Sequence, residues 1–296
     1  MDYSKLPTEK QNPKTRSLDT LSIEKILRVM DKEDESVPRA VRKVNDALTK
    51  GVRMIVSSLK KGGRLFFVGA GTSGRLGVLE AAECPPTFNT PPSLVQWIMA
   101  GGKGAVFRSQ EGAEDQEWEA KRAIRKRRVR KNDVVVGITA SGVTPFVREA
   151  LRRAKKKGAK TILVACNFSS PIRSHADLLI APRVGPEVIT GSTRLKAGTA
   201  TKLILNRLTV VSMVQLGKVY GNLMVDLQPR SKKLQARALG ILKRFAGVSD
   251  TKARRLFREA KGRVIVAILM AKKNFSYQRA VHALKETDGF LRKALQ

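Results

Sequence analysis

Apolar residues in this chain fall into short continuous runs, and between the runs they recur at helical spacing. The runs are Leu65-Phe66-Phe67-Val68, Leu94 to Met99, Val134 to Ile138, Thr161 to Ala165 and Leu178 to Ile180, each of strand length. Strands apolar on both faces need cover on both faces, which predicts an α/β chain with a parallel sheet between helices. Helices are predicted over 144–157 and, briefly, over 171–176. Another starts at Ser22, a candidate N-cap for Ile23 to Met30, with Lys25 where a capping box would want Glu. Residues 199–220 are apolar nearly all round, as in a buried or interface helix. After Pro229 strand alternation stops and short helices are expected. The pattern divides the chain into a helical arm over 1–50, a sheet domain over 51–228 and a helical module over 229–296.

Composition changes this picture in one respect. The chain of 296 residues is 42% hydrophobic, which is ordinary for a globular protein, but its formal net charge is +33. No signal peptide is visible, and runs such as Val264 to Ala271 are too short to cross a bilayer, so no membrane partner is expected. Two cysteines, Cys84 and Cys166, are too few for a disulfide framework, and a cytoplasmic location is expected. Basic residues cluster over 121–131 and 152–157, where helices fall between strands, so solvated outer faces are expected. Aromatics make up 5% and do not interleave with these clusters. The charge predicts nonspecific polyanion binding at low salt and does not make nucleic acid a substrate.

Candidate chemistry sits in the loops after the strands. Gly69, Gly71 and Gly74 spell the dinucleotide fingerprint directly after the first strand. That fingerprint needs an acid about 20 residues on, at the end of the next strand, which here runs into Ala100-Gly101-Gly102. Thr72 and Ser73 suit a phosphate monoester instead, held by hydroxyls and a helix N-terminus. Hydroxyl-bearing loops recur after later strands, at Ala140-Ser141-Gly142-Val143-Thr144-Pro145, at Cys166 to Pro171 and over Gly185 to Lys196. Any one of them also reads as a helix cap; their recurrence at one end of successive strands points to a phosphosugar pocket. Glu111, Glu114 and Asp115 follow the second strand and belong near its mouth, although an acidic group of this kind also reads as a solvated helix face. The only histidines, His175 and His282, sit apart from other ligand types, so carboxylates are expected to move protons without a metal or cofactor. Cys84 reads as a buried structural thiol.

Glu83 closes the first helix just ahead of Pro85 and Pro86, which are expected to stop it. The negative end of the helix dipole there opposes a carboxylate charge and suits a group that donates a proton.

These segments resemble the N-acetylmuramic acid 6-phosphate etherases, SIS (sugar isomerase) domain enzymes related to the glucokinase regulatory protein. The resemblance runs through Thr8-Glu9 with Asn12, Leu18 to Ser22, Glu33-Asp34 with Val37-Pro38, Gly69 to Thr87, Glu111 to Asp115, Ala140 to Gly142, Val188 to Thr201, Gly221 to Asp226 and Gly289 to Leu295. It implies an SIS-type, flavodoxin-like sheet, a homodimer, and cleavage of the lactyl ether of N-acetylmuramic acid 6-phosphate by elimination and water addition. It also implies Glu83 as the acid on the leaving lactate and Glu114 as the base at C2. Phosphate would fall to Ser73, Ser141 and Thr144, with Thr72, Ser192 and Lys196 in support and Gly71 and Gly142 in the backbone cradle. A regulatory phosphosugar binder without lyase activity and a nucleic-acid-associated basic protein are the alternatives. The chain departs from the family's pattern at Arg230-Ser231 and Asp288-Gly289, and in its basic excess.

Overall fold

The computed structural model describes residues 4, 6–226 and 232–296. Three helices come first: α1 (Ile23–Asp34), α2 (Ser36–Arg42) and α3 (Asn45–Lys60). Then follow β1 (Leu65–Gly69), α4 (Gly71–Phe88), β2 (Val95–Met99), the single turn α5 (Gly104–Phe107), α6 (Glu117–Lys126) and β3 (Val134–Ile138). Next come α7 (Pro145–Lys156), β4 (Lys160–Val164), β5 (Leu178–Ile180) and α8 (Lys196–Gln215). The helices α9 (Lys232–Ala246), α10 (Asp250–Glu259), α11 (Val264–Lys273), α12 (Tyr277–Glu286) and α13 (Leu291–Ala294) complete the chain.

The five apolar runs form one parallel sheet in the order β2-β1-β3-β4-β5, with Leu65 opposite both Val95 and Val134. Every residue of β1 and β3 is buried, as strands covered on both faces must be. On one face Phe66, Val68, Val135 and Leu163 pack with Phe146, Val147 and Leu151 of α7 and with Ile124 of α6. Each such side chain contributes about 1.5–3 kcal/mol by leaving water. The strand order reverses direction between β1 and β3. A crevice opens at such a switch point beyond the strand C-termini.

The glycines of the first loop serve packing. A Cβ on Gly69 would lie 2.8 Å from the Gly74 nitrogen, and one on Gly77 would lie 2.9 Å from Phe67 Cβ. Helix α4 therefore lies hard against β1 only because these positions carry no side chain.

Two sequence expectations need correction. Helix α4 does not stop at Glu83 but runs through Pro85 and Pro86 to Phe88. The prolines leave the Ala81 and Ala82 carbonyls without helical donors, yet proline φ is itself helical, and buried Cys84 and Phe88 on this segment keep it packed. Segment 171–176 is a 3₁₀ turn (Pro171–His175), with the Ser170 hydroxyl accepting from the Ile172 N–H.

Packing divides the chain into two units, Met1–Ala81 with Ser93–Thr209, and Ala82–Pro92 with Val210–Gln296. The second has its own core around α11, whose residues Val264 to Leu269 are all buried with Leu242, Leu256 and Leu284 among their neighbours. The expected boundary at 228–229 and the Arg230-Ser231 pair lie outside the described residues. Among the described residues no helix is long and apolar enough to cross a membrane.

Candidate active site

A cleft of about 270 Å³ lies at the switch point, lined from the ends of β1 and β3. Drug-sized ligands occupy pockets of about 300–1,000 Å³, so this one suits a single phosphorylated sugar better than a dinucleotide. Its floor is Ala70, Gly71, Thr72 and Ser73, where α4 begins. The first bond of that helix runs from the Gly74 N–H to the Ala70 carbonyl, so the N–H groups of residues 71–73 have no acceptor within the helix. Those amides and the positive end of the dipole make an anion seat.

The wall after β3 is a cluster of hydroxyls. Thr139 Oγ1 lies 2.7 Å from Thr144 Oγ1 and 3.3 Å from Ser141 Oγ, and accepts from the Gly142 N–H at 3.2 Å. Gly142 has φ +75°, and a Cβ there would meet Ser170 Cβ at 2.7 Å, so the turn needs glycine. Ser141 is fixed from behind by Asn167, whose side-chain amide donates to the Ser141 carbonyl. Thr139 is thus the hub of the cluster and a lining residue that sequence reading missed.

Glu114 stands at the mouth, exposed, on the 3₁₀ turn Ala113–Asp115 that Gly112 opens at φ +72°. Its loop is anchored at both ends. Glu119 accepts the Gly101 N–H at 3.0 Å, and Arg75 of α4 donates to the carbonyls of Ala105 and Val106.

Glu9, Gly191 and Thr193 form the remaining lip. The Gly191 N–H donates to the Thr8 carbonyl, Thr15 donates to the Val188 carbonyl and Asn12 to the Pro186 carbonyl. The N-terminal arm is thereby sewn to the 185–193 loop. Glu9 and Thr193 also lay outside the sequence-predicted site residues, although Thr8-Glu9 and Asn12 were legible as motif positions.

Lys196, expected to hold phosphate, is placed differently. Its ammonium is buried 2.5 Å from the Glu33 carboxylate of α1, and it does not line the cleft. Burial pushes the Glu33 carboxyl up, but hydrogen bonds from Lys196, Lys14 and Asn12 outweigh it and hold the group at about 2. Beside it, the Glu187 carboxylate accepts the N–H groups of Lys196 and Ala197 and so caps α8, while burial pushes its carboxyl up. Ser192 is half-buried in the lip loop but is absent from the cleft lining, and Gly142 supports the lining from behind. Glu83 is exposed on α4 and belongs to the second unit, whereas every lining residue belongs to the first. Cys166 is buried, and burial followed by the charge of Glu187 pushes its thiol up to about 12, which leaves it neutral and unreactive. Among the described residues no cluster of three or more His, Cys, Asp or Glu is assembled that could hold a metal.

A parallel five-stranded sheet with a hydroxyl-lined anion seat at its switch point is the architecture of an SIS domain. The SIS domain family model matches residues 119–212, and that of the glucokinase regulatory protein N-terminal SIS domain matches 47–155. A phosphoheptose isomerase from Francisella tularensis shares the fold, with a TM-score of 0.50 at 17% identity over 64% of this chain and 98% of that one. The chain is 50% identical over 291 residues to N-acetylmuramic acid 6-phosphate etherase of Geobacillus thermodenitrificans, covering 98% of this chain and 99% of the relative. It is 46% identical to that of Oceanobacillus iheyensis over 98% of both. The chain belongs to the N-acetylmuramic acid 6-phosphate etherase family.

Proposed function

We propose that this chain cleaves the D-lactyl ether of N-acetylmuramic acid 6-phosphate, releasing N-acetylglucosamine 6-phosphate and D-lactate in amino-sugar recycling. The observation that carries the reading is identity of 46–50% to etherases along almost the whole chain. The cleft supports it chemically. A sugar phosphate would take hydrogen bonds from Ser73, Ser141 and Thr144 and from the α4 amides at Gly71, Thr72 and Ser73, with Gly142 and Ser192 shaping the two loops. The helix end adds about 0.3–1 kcal/mol, rising toward about 2 where partly buried.

In the open-chain sugar the C1 aldehyde acidifies the C2 proton. Glu114 removes that proton, and lactate leaves from C3 as Glu83 protonates the ether oxygen. Water then adds to C3 of the unsaturated aldehyde, giving its proton to Glu83, and Glu114 returns a proton to C2. The sum is one ether and one water in, two alcohols out. Lys196 serves this site by holding the arm through Glu33 rather than by touching phosphate.

A homodimer belongs to the same reading, supported by Val210, Val211 and Val214, which stay 41–43% exposed on the mostly apolar α8. So do a cytoplasmic location, consistent with a sequence that carries only two cysteines, and nonspecific polyanion association driven by the net charge of +33. Incubation with N-acetylmuramic acid 6-phosphate tests the main claim: D-lactate should appear in step with substrate loss. No lactate across a range of pH and salt would overturn it.

A further inference from the structure

Positive charge collects at the opposite end of the sheet, where the strands begin. Three turns meet there: Lys60-Lys61 at the end of α3, Arg127 to Lys131 between α6 and β3, and Lys155 to Lys160 from the end of α7 to the start of β4. Direct contacts join them. Arg64 donates to the carbonyls of Arg127 at 3.1 Å and Arg128 at 2.8 Å, Arg130 donates to the Gly62 carbonyl at 3.2 Å, and Asn132 to the Lys61 carbonyl at 3.1 Å. The third turn abuts the second at Gly158, where a Cβ would lie 3.4 Å from Lys131 Cγ.

The lysines and arginines of these turns are exposed. The neighbouring acids are already engaged. Buried Asp133 pairs with Arg64 at 2.7 Å and accepts the Arg64 and Arg130 N–H groups, and Asp177 pairs with Lys155 at 3.5 Å while accepting the Thr161 N–H. A cation or two at a helix C-terminus complements the dipole. Taken together the three adjoining turns exceed that need, and their mutual repulsion opposes folding unless a counter-charge relieves it.

We infer that this strand-entry surface docks the phosphate backbone of double-stranded nucleic acid without sequence preference. The inference rests on the polyanion association proposed above and gives it a location and an occupant. A duplex presents about one charge per 1.7 Å of axis and releases counterions when lysines and arginines replace them. None of the large apolar side chains exposed on the described chain lies in these turns. No apolar side chain there would enter a lipid surface, and no aromatic ring offers a stacking platform for unpaired bases. The five-residue strands separate this surface from the cleft by about 16 Å, beyond the Debye length of about 8–10 Å near physiological salt. The bound polymer therefore leaves the cleft open.

The test is fluorescence anisotropy of a labelled duplex of arbitrary sequence, about 25 base pairs long, titrated between about 50 and 200 mM salt. One variant reverses a charge in each turn: Lys61→Glu, Lys131→Glu and Lys156→Glu. Its control carries Lys252→Glu, Arg258→Glu and Lys285→Glu, exposed positions of the helical unit, and so has the same net charge. The turn variant should lose about 2–3 from the slope of log affinity against log salt and at least roughly tenfold in affinity; the control should lose less than about threefold. Both should keep the wild-type circular dichroism, and neither should melt below the wild type. No wild-type binding at the lowest salt would overturn the polyanion reading itself. Equal losses in the two variants would leave that reading standing and overturn the location. Binding to anionic phosphatidylserine vesicles but not to duplex would overturn the occupant. Duplex that competes with the phosphosugar and blocks lactate release would place the polymer in the cleft and overturn the inference.

Discussion

The two ends of one sheet solve the problem of negative charge in opposite ways. Where the strands end, the cleft is lined by hydroxyls and helix-start amides, with Glu9 and Glu114 on its rim, and no lysine or arginine is among its lining residues. Where the strands begin, exposed lysines and arginines crowd three adjoining turns. Oriented neutral donors discriminate, because each hydroxyl of the Thr139 cluster has a fixed position and rewards only an acceptor that fits. Massed cations attract any polyanion and lose that attraction as salt rises. A high net charge thus says little about the site that does chemistry.

The sharpest way to break the comparison is to remove the two carboxylates proposed to move protons. Glu114→Ala should lower turnover about 10²–10⁴-fold and abolish exchange of the C2 proton with deuterated solvent, which proton NMR reads directly. Glu83→Ala should stop lactate release to a similar degree yet keep that exchange; equal loss of both activities would contradict the division of roles. Next comes the buried pair behind the lip. Glu33→Gln leaves the Lys196 ammonium buried without its counter-charge and should cost about 3–5 kcal/mol, read as a lower urea midpoint. In the wild type the Glu33 carboxyl is held at about 2 against its ordinary 4.5. Its contribution is therefore complete above about pH 4.5 and is lost as pH falls toward about 2, and the Gln variant should lack that part of the acid dependence. Ser141→Ala removes one charge-assisted donor of about 1.5–3 kcal/mol and should weaken phosphosugar binding roughly 10–100-fold by calorimetry, with the fold unchanged. The smallest effect belongs to the basic end: the triple charge reversal there should change lactate release by less than about twofold, because the ends lie more than a Debye length apart.

Much of this was legible in the chain. Five apolar runs gave five strands, and hydroxyls placed after the first and third marked the cleft wall that Ser73, Ser141 and Thr144 line. Failures came where partners are distant in sequence. Lys196 stands in a hydroxyl-rich loop and looks like a phosphate ligand, because nothing local reveals Glu33, 163 residues away. Thr139 was passed over between strand and loop, because only the folded turn brings its hydroxyl to Thr144. Pro85-Pro86 looked like a stop, since a local rule cannot weigh the packing of Cys84 and Phe88 against two lost hydrogen bonds. The glycines of the opening loop carry a second meaning. Their spacing suggests a ligand cradle, and Gly69 and Gly74 also answer to the closeness of helix and strand, which spacing alone does not reveal.

The central claim is that this chain breaks the bond between C3 and the ether oxygen by elimination and then hydrates the product. Turnover of N-acetylmuramic acid 6-phosphate in water labelled with oxygen-18, followed by mass spectrometry of both products, tests it most directly. The account predicts the label on N-acetylglucosamine 6-phosphate, at C3, and unlabelled D-lactate. Label in the hydroxyl of the lactate, or no turnover at all, would contradict it.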